Sequence, residues 1–247
     1  MKSVIPFAFP GLPHISCAFT TRHAGNMSMH TKVLERCGSR PGDVARRRMR
    51  VLRALGIAAW TELNQAHGDR FLVNPEATPP ELFGGSEADG QCTNMPGHAL
   101  CIKTADCQPI LLAHPAGYVA ALHVGWRGNL LKFPVSGVRC FCDAYGLNAE
   151  DIVAVRGPSL GHAEFVNFAD EWPEEFSSWL DAATKRMDLW GLTRSQLEQA
   201  GLLPRNIYSL DLCTWSLADI LYSHRRGHPE RQAALIWIHG DFRGKDL

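Results

Sequence analysis

The sequence predicts an α+β fold with a mixed β-sheet in a single domain. Three observations carry that prediction. Strand-like runs outnumber helical patterns. Their order is not a regular β–α alternation, which argues against a doubly wound fold. The chain has 247 residues, 45% hydrophobic and 20% charged, and a chain of that size buries about 70–75% of its unfolded surface in a core.

The strand-like runs are residues 15–20, 70–74, 99–103, 110–113, 118–124, 152–156, 206–210 and 233–238, each rich in β-branched or apolar residues and bounded by turn formers. The first helix is expected to be capped by Asp43 and to run to about Leu55, with Val44, Arg48, Val51, Leu52 and Leu55 at helical spacing. Val135, Val138, Cys142 and Tyr145 mark a second helix, with Pro134 suited to its first turn. Trp172, Phe176 and Trp179/Leu180 mark a third, and 193–200 and 216–222 read as shorter ones. Residues 74–98, rich in Pro and Gly, read as a long connection inside the domain.

Charge and composition exclude several functions. Lys+Arg and Asp+Glu are both 25, so no global field draws the chain to nucleic acid or to an anionic membrane. No run reaches the roughly 18 apolar residues of a membrane span. The N-terminal apolar run is short and broken by Pro6 and Pro10, unlike a signal peptide. The eight cysteines are therefore expected to be free thiols of a cytoplasmic protein. There is no GxGxxG, P-loop, HExxH or zinc-deaminase pattern. None of the eleven histidines lies two residues from another, which disfavours a laccase with repeated HxH copper ligands.

Three short segments carry candidate chemistry. QAHG (65–68) precedes an apolar run, TADCQP (104–109) joins two strand-like runs, and HVGWRG (123–128) ends a third. Each puts one metal-type side chain, His67, Cys107 or His123, at a strand end beside a turn, where a rigid sheet presents it to a cleft. Two imidazoles and a thiolate suit Zn²⁺ with one open position. The same set also suits copper, given a weak axial methionine. The spacing alone leaves open two core histidines and a buried thiol, or a Cys107 nucleophile with His67 or His123 as base. GPSLG (157–161) matches the GxSxG of a nucleophile elbow, and Asp219 and His239 follow in triad order. The surrounding alternation and an HGGG-type loop are missing, so Ser159 reads as a turn residue.

QAHG, TADCQPILL and AALHVGWRG occur in this order, with GLPHISCAFTTRHAGNMS, EADGQCT, GPSLGHAEF, DLCT and YSHRRGHPERQAALIWI around them. Together they resemble the YfiH-like laccase-domain family over nearly the whole chain. The resemblance implies a layered sandwich of mixed sheets flanked by helices, one domain spanning 1–247. It also implies a metal-dependent purine nucleoside phosphorylase acting on adenosine, inosine, guanosine or methylthioadenosine, with adenosine deaminase activity. Its partners would be a purine nucleoside and inorganic phosphate, a homo-oligomer remaining open. Carried over by motif, the ligands of Zn²⁺, with copper the alternative, are His67, Cys107 and His123.

Phosphorolysis needs a held phosphate, and arginine forks hold phosphate well. Arg127, four residues after His123, is the first candidate; Arg22, Arg48, Arg225 and Arg231 lie in other family-like segments. Asp106 is expected to act as acid/base or to orient a ligand, Asp89 to touch substrate or merely form a turn, and Glu164 to contact ribose. Trp126 reads as a packing anchor or a base-stacking ring. A polyphenol oxidase, a cysteine hydrolase and a role in editing peptidoglycan precursors are the rival functions. The sequence departs from the family pattern at His162-Ala163, at Arg47 where Asn is common, and over Gly227–Arg231. It also lacks the usual LNLG after Ser28.

Overall fold

A run such as Ile110-Leu111-Leu112-Ala113 is apolar at successive positions, so a strand made from it has two faces to cover. The computed structural model covers both. It describes residues 3–164 and 168–241, without the side chains of 162–164, 168 and 169. In chain order, β1 (Val4–Ala8) and β2 (Ile15–Thr20) precede α1 (Thr31–Cys37), α2 (Pro41–Leu55), β3 (Ala59–Glu62), β4 (Phe71–Val73), β5 (Gly90–Thr93), β6 (His98–Thr104), β7 (Gln108–His114) and β8 (Tyr118–Val124). Then come α3 (Trp126–Leu130), α4 (Phe133–Tyr145), β9 (Val153–Arg156), β10 (His162–Glu164), α5 (Phe168–Glu171), β11 (Leu180–Asp181), β12 (Arg186–Asp188), α6 (Leu189–Gln199), β13 (Ile207–Ser209) and β14 (Gln232–Ile238).

Two large mixed sheets stack face to face. One has the order β1-β2-β14-β6-β3 and the other β13-β9-β7-β8-β5-β4; β10-β12-β11 form a small third sheet. Phe19, Leu100, Ile102, Leu111, Ala113, Ala121 and Ile236 interdigitate between the large sheets. The alternate residues of the same strands face outward. Ile110, Leu112 and Leu122 pack with Val138 and Phe141 of α4 and Leu197 of α6. Ala99, Cys101 and Leu235 pack with Val51 and Leu52 of α2. The period-2 pleat thus divides one apolar run between two cores, and the layers read helix, sheet, sheet, helix. Among the described residues no helix is long and apolar enough to cross a membrane. All eight cysteines are free thiols.

The structure corrects three local expectations. Arg40, not Asp43, is the N-cap residue of α2; Asp43 lies in its first turn and pairs with Arg40 and Arg46. Residues 172–180 do not form an α-helix: Pro173 starts a 3₁₀ helix over Glu174–Trp179, and Leu180 turns extended. The tighter winding still buries Trp172 and Phe176 in one cluster. Residues 216–222 form successive turns. Their backbone is bound elsewhere, because Ile220 O accepts from Arg22 N and Tyr222 N donates to Gln232 Oε1. Within the Pro/Gly-rich stretch 74–98 the structure inserts β5.

Candidate active site

The strand register brings the distant motifs together. β7 and β8 pair antiparallel with Gln108 opposite Val124 and Pro109 opposite His123. One step outward, the register sets Cys107 opposite Gly125. β5 lies on the other side of β8 with Gly90 opposite Leu122, which sets Asp89 beside His123. β4 flanks β5 with Phe71 opposite Gly90, so the loop before β4, carrying His67, reaches the same end of the sheet. Cys107 sits in the turn where the chain leaves one large sheet, at β6, and enters the other, at β7.

The ligand-type atoms of His67, Cys107 and His123 lie within 4.8 Å of one another. The two imidazole rings meet edge to face at 4.8 Å between centroids. Gly125 permits the cluster: a Cβ there would stand 2.9 Å from Cys107 Sγ and 3.4 Å from His67 Cδ2. His67 and Asp106 hold left-handed backbones, φ 62° and 89°, which cost roughly 1–3 kcal/mol each in residues other than glycine. Two carboxylates hold this strain in place. Asp89 accepts from the backbone N–H groups of Ala66 (3.2 Å), His67 (3.0 Å) and Gly68 (2.7 Å) and from His123 Nδ1 (2.7 Å). Asp106 accepts from Thr214 Oγ1 and from Arg225 N, both at 2.7 Å.

Charge follows from these contacts. Burial works to raise the Cys107 thiol, but the His123 and His67 imidazoles outweigh it and bring it down to about 6. Burial also works against protonation of His123, yet the Cys107 thiolate and Asp89 raise it to about 9. Burial opposes ionisation of Asp89 in turn, but His123 and the loop N–H groups hold its carboxyl below the ordinary range. With Nδ1 committed to Asp89, His123 has its other ring nitrogen left for the cluster. Two imidazoles, one easily ionised thiol and a carboxylate behind one imidazole match the donor chemistry of a zinc site and its outer shell.

The cluster lines a cavity of about 600 Å³, within the roughly 300–1,000 Å³ of small-molecule sites. Of the sequence candidates, His67, Asp106, Cys107, His123, Trp126, Arg127, Arg225 and Arg231 line it. Arg127 lies 4.4 Å over the Trp126 ring, and Trp126 itself packs against Trp172. Three expected substrate contacts are corrected. Arg48 is fully buried, bonded to Met27 O, Leu82 O and Glu62; it ties α2 to two loops. Arg22 stacks over Tyr222 and donates to Ala218 O, away from the cavity lining. Asp89 is buried behind His123 and positions it instead of meeting substrate. The Glu164 side chain lies outside the described residues.

Ser159 is also buried, and its Oγ accepts from Gln108 Nε2 (3.0 Å) and Trp190 Nε1 (2.8 Å). His239 bonds Ser16, not Ser159, so no triad forms. Lys32, Arg36, Lys103, His224 and Trp190 line the cavity as well, and the motif reading missed them. A single lysine in the apolar run ALCIK was the one available signal for Lys103.

The family model for the multi-copper polyphenol oxidoreductase laccase matches residues 16–239. The chain belongs to this laccase-like family. It is 31% identical over 216 residues to the purine nucleoside phosphorylase YfiH of Escherichia coli, covering 82% of this chain and 84% of that protein. It is 33% identical over 251 residues to a purine nucleoside phosphorylase of Deinococcus radiodurans, covering 93% and 94%. The crystal structure of YlmD from Geobacillus stearothermophilus superposes with a TM-score of 0.81 at 24% identity, covering 96% and 97%. That likeness bears out the layered fold expected of the laccase-like family.

Proposed function

We propose that the chain is a metal-dependent purine nucleoside phosphorylase that also deaminates adenosine. The observation that carries this reading is the His67–Cys107–His123 cluster set in the wall of a cavity rich in arginine and lysine. Relatives carrying the phosphorylase name over most of their length support it. Zn²⁺ fits the donor set better than copper. Among the described residues no methionine lines the cavity, and the one His/Cys cluster offers three donors, too few for a multi-copper centre. When bound, the ion supplies Lewis acidity beside the substrate.

The chain's own residues supply the rest. Arginine forks on the cavity wall hold the phosphate dianion against the sugar, which turns a bimolecular attack into a local one. Phosphate oxygen bonds to the anomeric carbon, the glycosidic C–N bond breaks, and its electron pair leaves with the purine. Both oxygens of Asp106 are already hydrogen-bond acceptors, so we assign it to positioning the 214 and 225 loops. Trp190 lines the cavity and offers a flat apolar face for a base, whereas Trp126 is packed between Arg127 and Trp172.

Elemental analysis of the pure protein, with chromatography of adenosine and inosine incubated with and without phosphate, tests this. Zinc near one equivalent, phosphate-dependent free base and pentose 1-phosphate, and ammonia from adenosine are expected. No base and no ammonia from either nucleoside would overturn the reading.

A further inference from the structure

Where the family's usual LNLG is missing, this chain builds α1. His30 caps it, its Nδ1 accepting from Lys32 N, and packs edge-on against Phe83 at 5.2 Å. That contact turns Lys32, Val33 and Arg36 toward the cavity. Lys32 and Arg36 are spaced i, i+4, so two like charges share one helix face, an arrangement that disfavours a short helix. Neither side chain makes a hydrogen bond or ion pair among the described residues.

The facing wall repeats the sign. Arg231 is half-buried, and its Nη1 donates to the carbonyls of His228, Pro229 and Glu230. Those carbonyls fix the guanidinium's direction without neutralising it. Burial lowers Arg231 and the like charge of Arg36 adds to that, while Cys107 and Asp106 work to raise it. His224 is lowered by burial and further by Arg231 and Arg36. These groups therefore feel one another across the cavity. Asp106 is the one carboxylate among the described lining residues, and its oxygens are occupied. Lys103 has its own partner in Glu62. The cations of the described lining, Lys32, Arg36, Lys103, Arg127, Arg225 and Arg231, outnumber its anions, Asp106 and Cys107, and such an excess in a cleft focuses the field on an anion.

We propose that Lys32, Arg36, His224 and Arg231 form a phosphate subsite at the α1 end of the cavity. Its ligand is a dianionic phosphate, either the free co-substrate or a phosphoryl group carried by the nucleoside. The free co-substrate arm rests on the phosphorylase reading above; the binding measurement does not. Guanidinium forks and an ammonium supply the charge-assisted bonds that such a dianion takes.

The test is calorimetric titration of inorganic phosphate, inosine and inosine 5′-monophosphate into the wild type, Arg36→Gln, Lys32→Gln and the double variant. Arg50→Gln, exposed on α2, is the control. Both substituted side chains are exposed, and Arg36→Lys checks that partial charge restores partial binding. Loss of two charge-assisted contacts should weaken the bound ligand by about tenfold or more, with inosine affinity unchanged. Weakened inorganic phosphate, with a matching rise in its KM, identifies the free ion. Weakened monophosphate with unchanged inorganic phosphate identifies the substrate-borne group. Either result supports the subsite. Affinities for both phosphate ligands within twofold in the double variant, or no binding of either by the wild type, overturn it. A wild type that binds phosphate but cleaves no nucleoside would sink the phosphorylase reading alone. A cleaving enzyme indifferent to Lys32 and Arg36 would sink the subsite alone.

Discussion

Asp89→Asn tests how the centre is held. The carboxylate accepts four hydrogen bonds, two on each oxygen: His67 N and His123 Nδ1 on Oδ1, Ala66 N and Gly68 N on Oδ2. An amide keeps one acceptor oxygen. If that oxygen replaces Oδ1, the NH₂ faces two backbone donors. If it replaces Oδ2, the NH₂ faces His67 N–H and pushes His123 into the opposite tautomer, with a proton on the nitrogen meant for the metal. Either way two of four charge-assisted bonds are lost. At about 1.5–3 kcal/mol each the sum is about 3–6 kcal/mol. Water reaches the exposed 66–67 stretch and replaces part of it, which brings the expected loss to about 2–4 kcal/mol. Zinc affinity should fall about 10–100-fold, as for other partners behind ligating histidines. Denaturant unfolding and competition with a chromophoric chelator measure the two quantities. The sign in pH follows from the depressed Asp89 carboxyl. Its contribution is whole above the unfolded value near 3.9 and is lost as pH falls through the lower folded value, so the gap between the proteins closes only below about pH 4. A stability change under about 1 kcal/mol with zinc affinity within twofold would refute the positioning role.

Other outcomes follow from the same contacts. In chelator-treated protein, Cys107 should alkylate with a midpoint near its value of about 6, because the lowered thiol is thiolate above that pH; added zinc should protect it. A midpoint at the free-thiol value of about 8.5 would contradict the His-paired cluster. Ser159→Ala should cost about 1–3 kcal/mol by leaving the Gln108 and Trp190 donors without an acceptor, while activity persists. Stoichiometric fluorophosphonate labelling of Ser159 would reverse that assignment. Arg48→Met should destabilise by about 3–5 kcal/mol, because Glu62 is left buried with Lys103 alone. The KM for nucleoside and phosphate should not move, and a selective rise in either would return Arg48 to the binding site.

Much of the fold was legible because strand signals are local. The runs at 15–20, 118–124 and 233–238 match β2, β8 and β14 within a residue, since long apolar runs bounded by turn formers leave little choice. Most elements that escaped are short or polar; β1, VIPFA, escaped because Pro6 interrupts its apolar run, which only its place at the sheet edge tolerates. β10, β11 and β12 have two or three residues, too few to show a period. α1 carries the polar sequence TKVLERC and buries none of its residues, so it shows no core stripe; Lys32, Val33 and Arg36 line the cavity instead. Among the site residues, the metal-type trio was readable from chemistry and motif. Arg48 and Arg22 were misplaced, because an arginine's sequence says nothing of whether its fork meets a ligand or a neighbouring carbonyl.

The donor types, the strand-rich α+β pattern and the family resemblance are all readable in the sequence, since each depends on residue identity and near neighbours. That positions 67, 107 and 123 share one point follows from the fold as a whole. The register of β7 on β8 and β8 on β5 converts separations of 40 and 16 residues into a cluster within 4.8 Å. The fold also decided that Asp89 stands behind His123, and that α1 turns two cations inward. Those outcomes depend on which strands pair and which faces are covered, and pairing between distant segments is fixed by burial of the whole sandwich, not by any one of them.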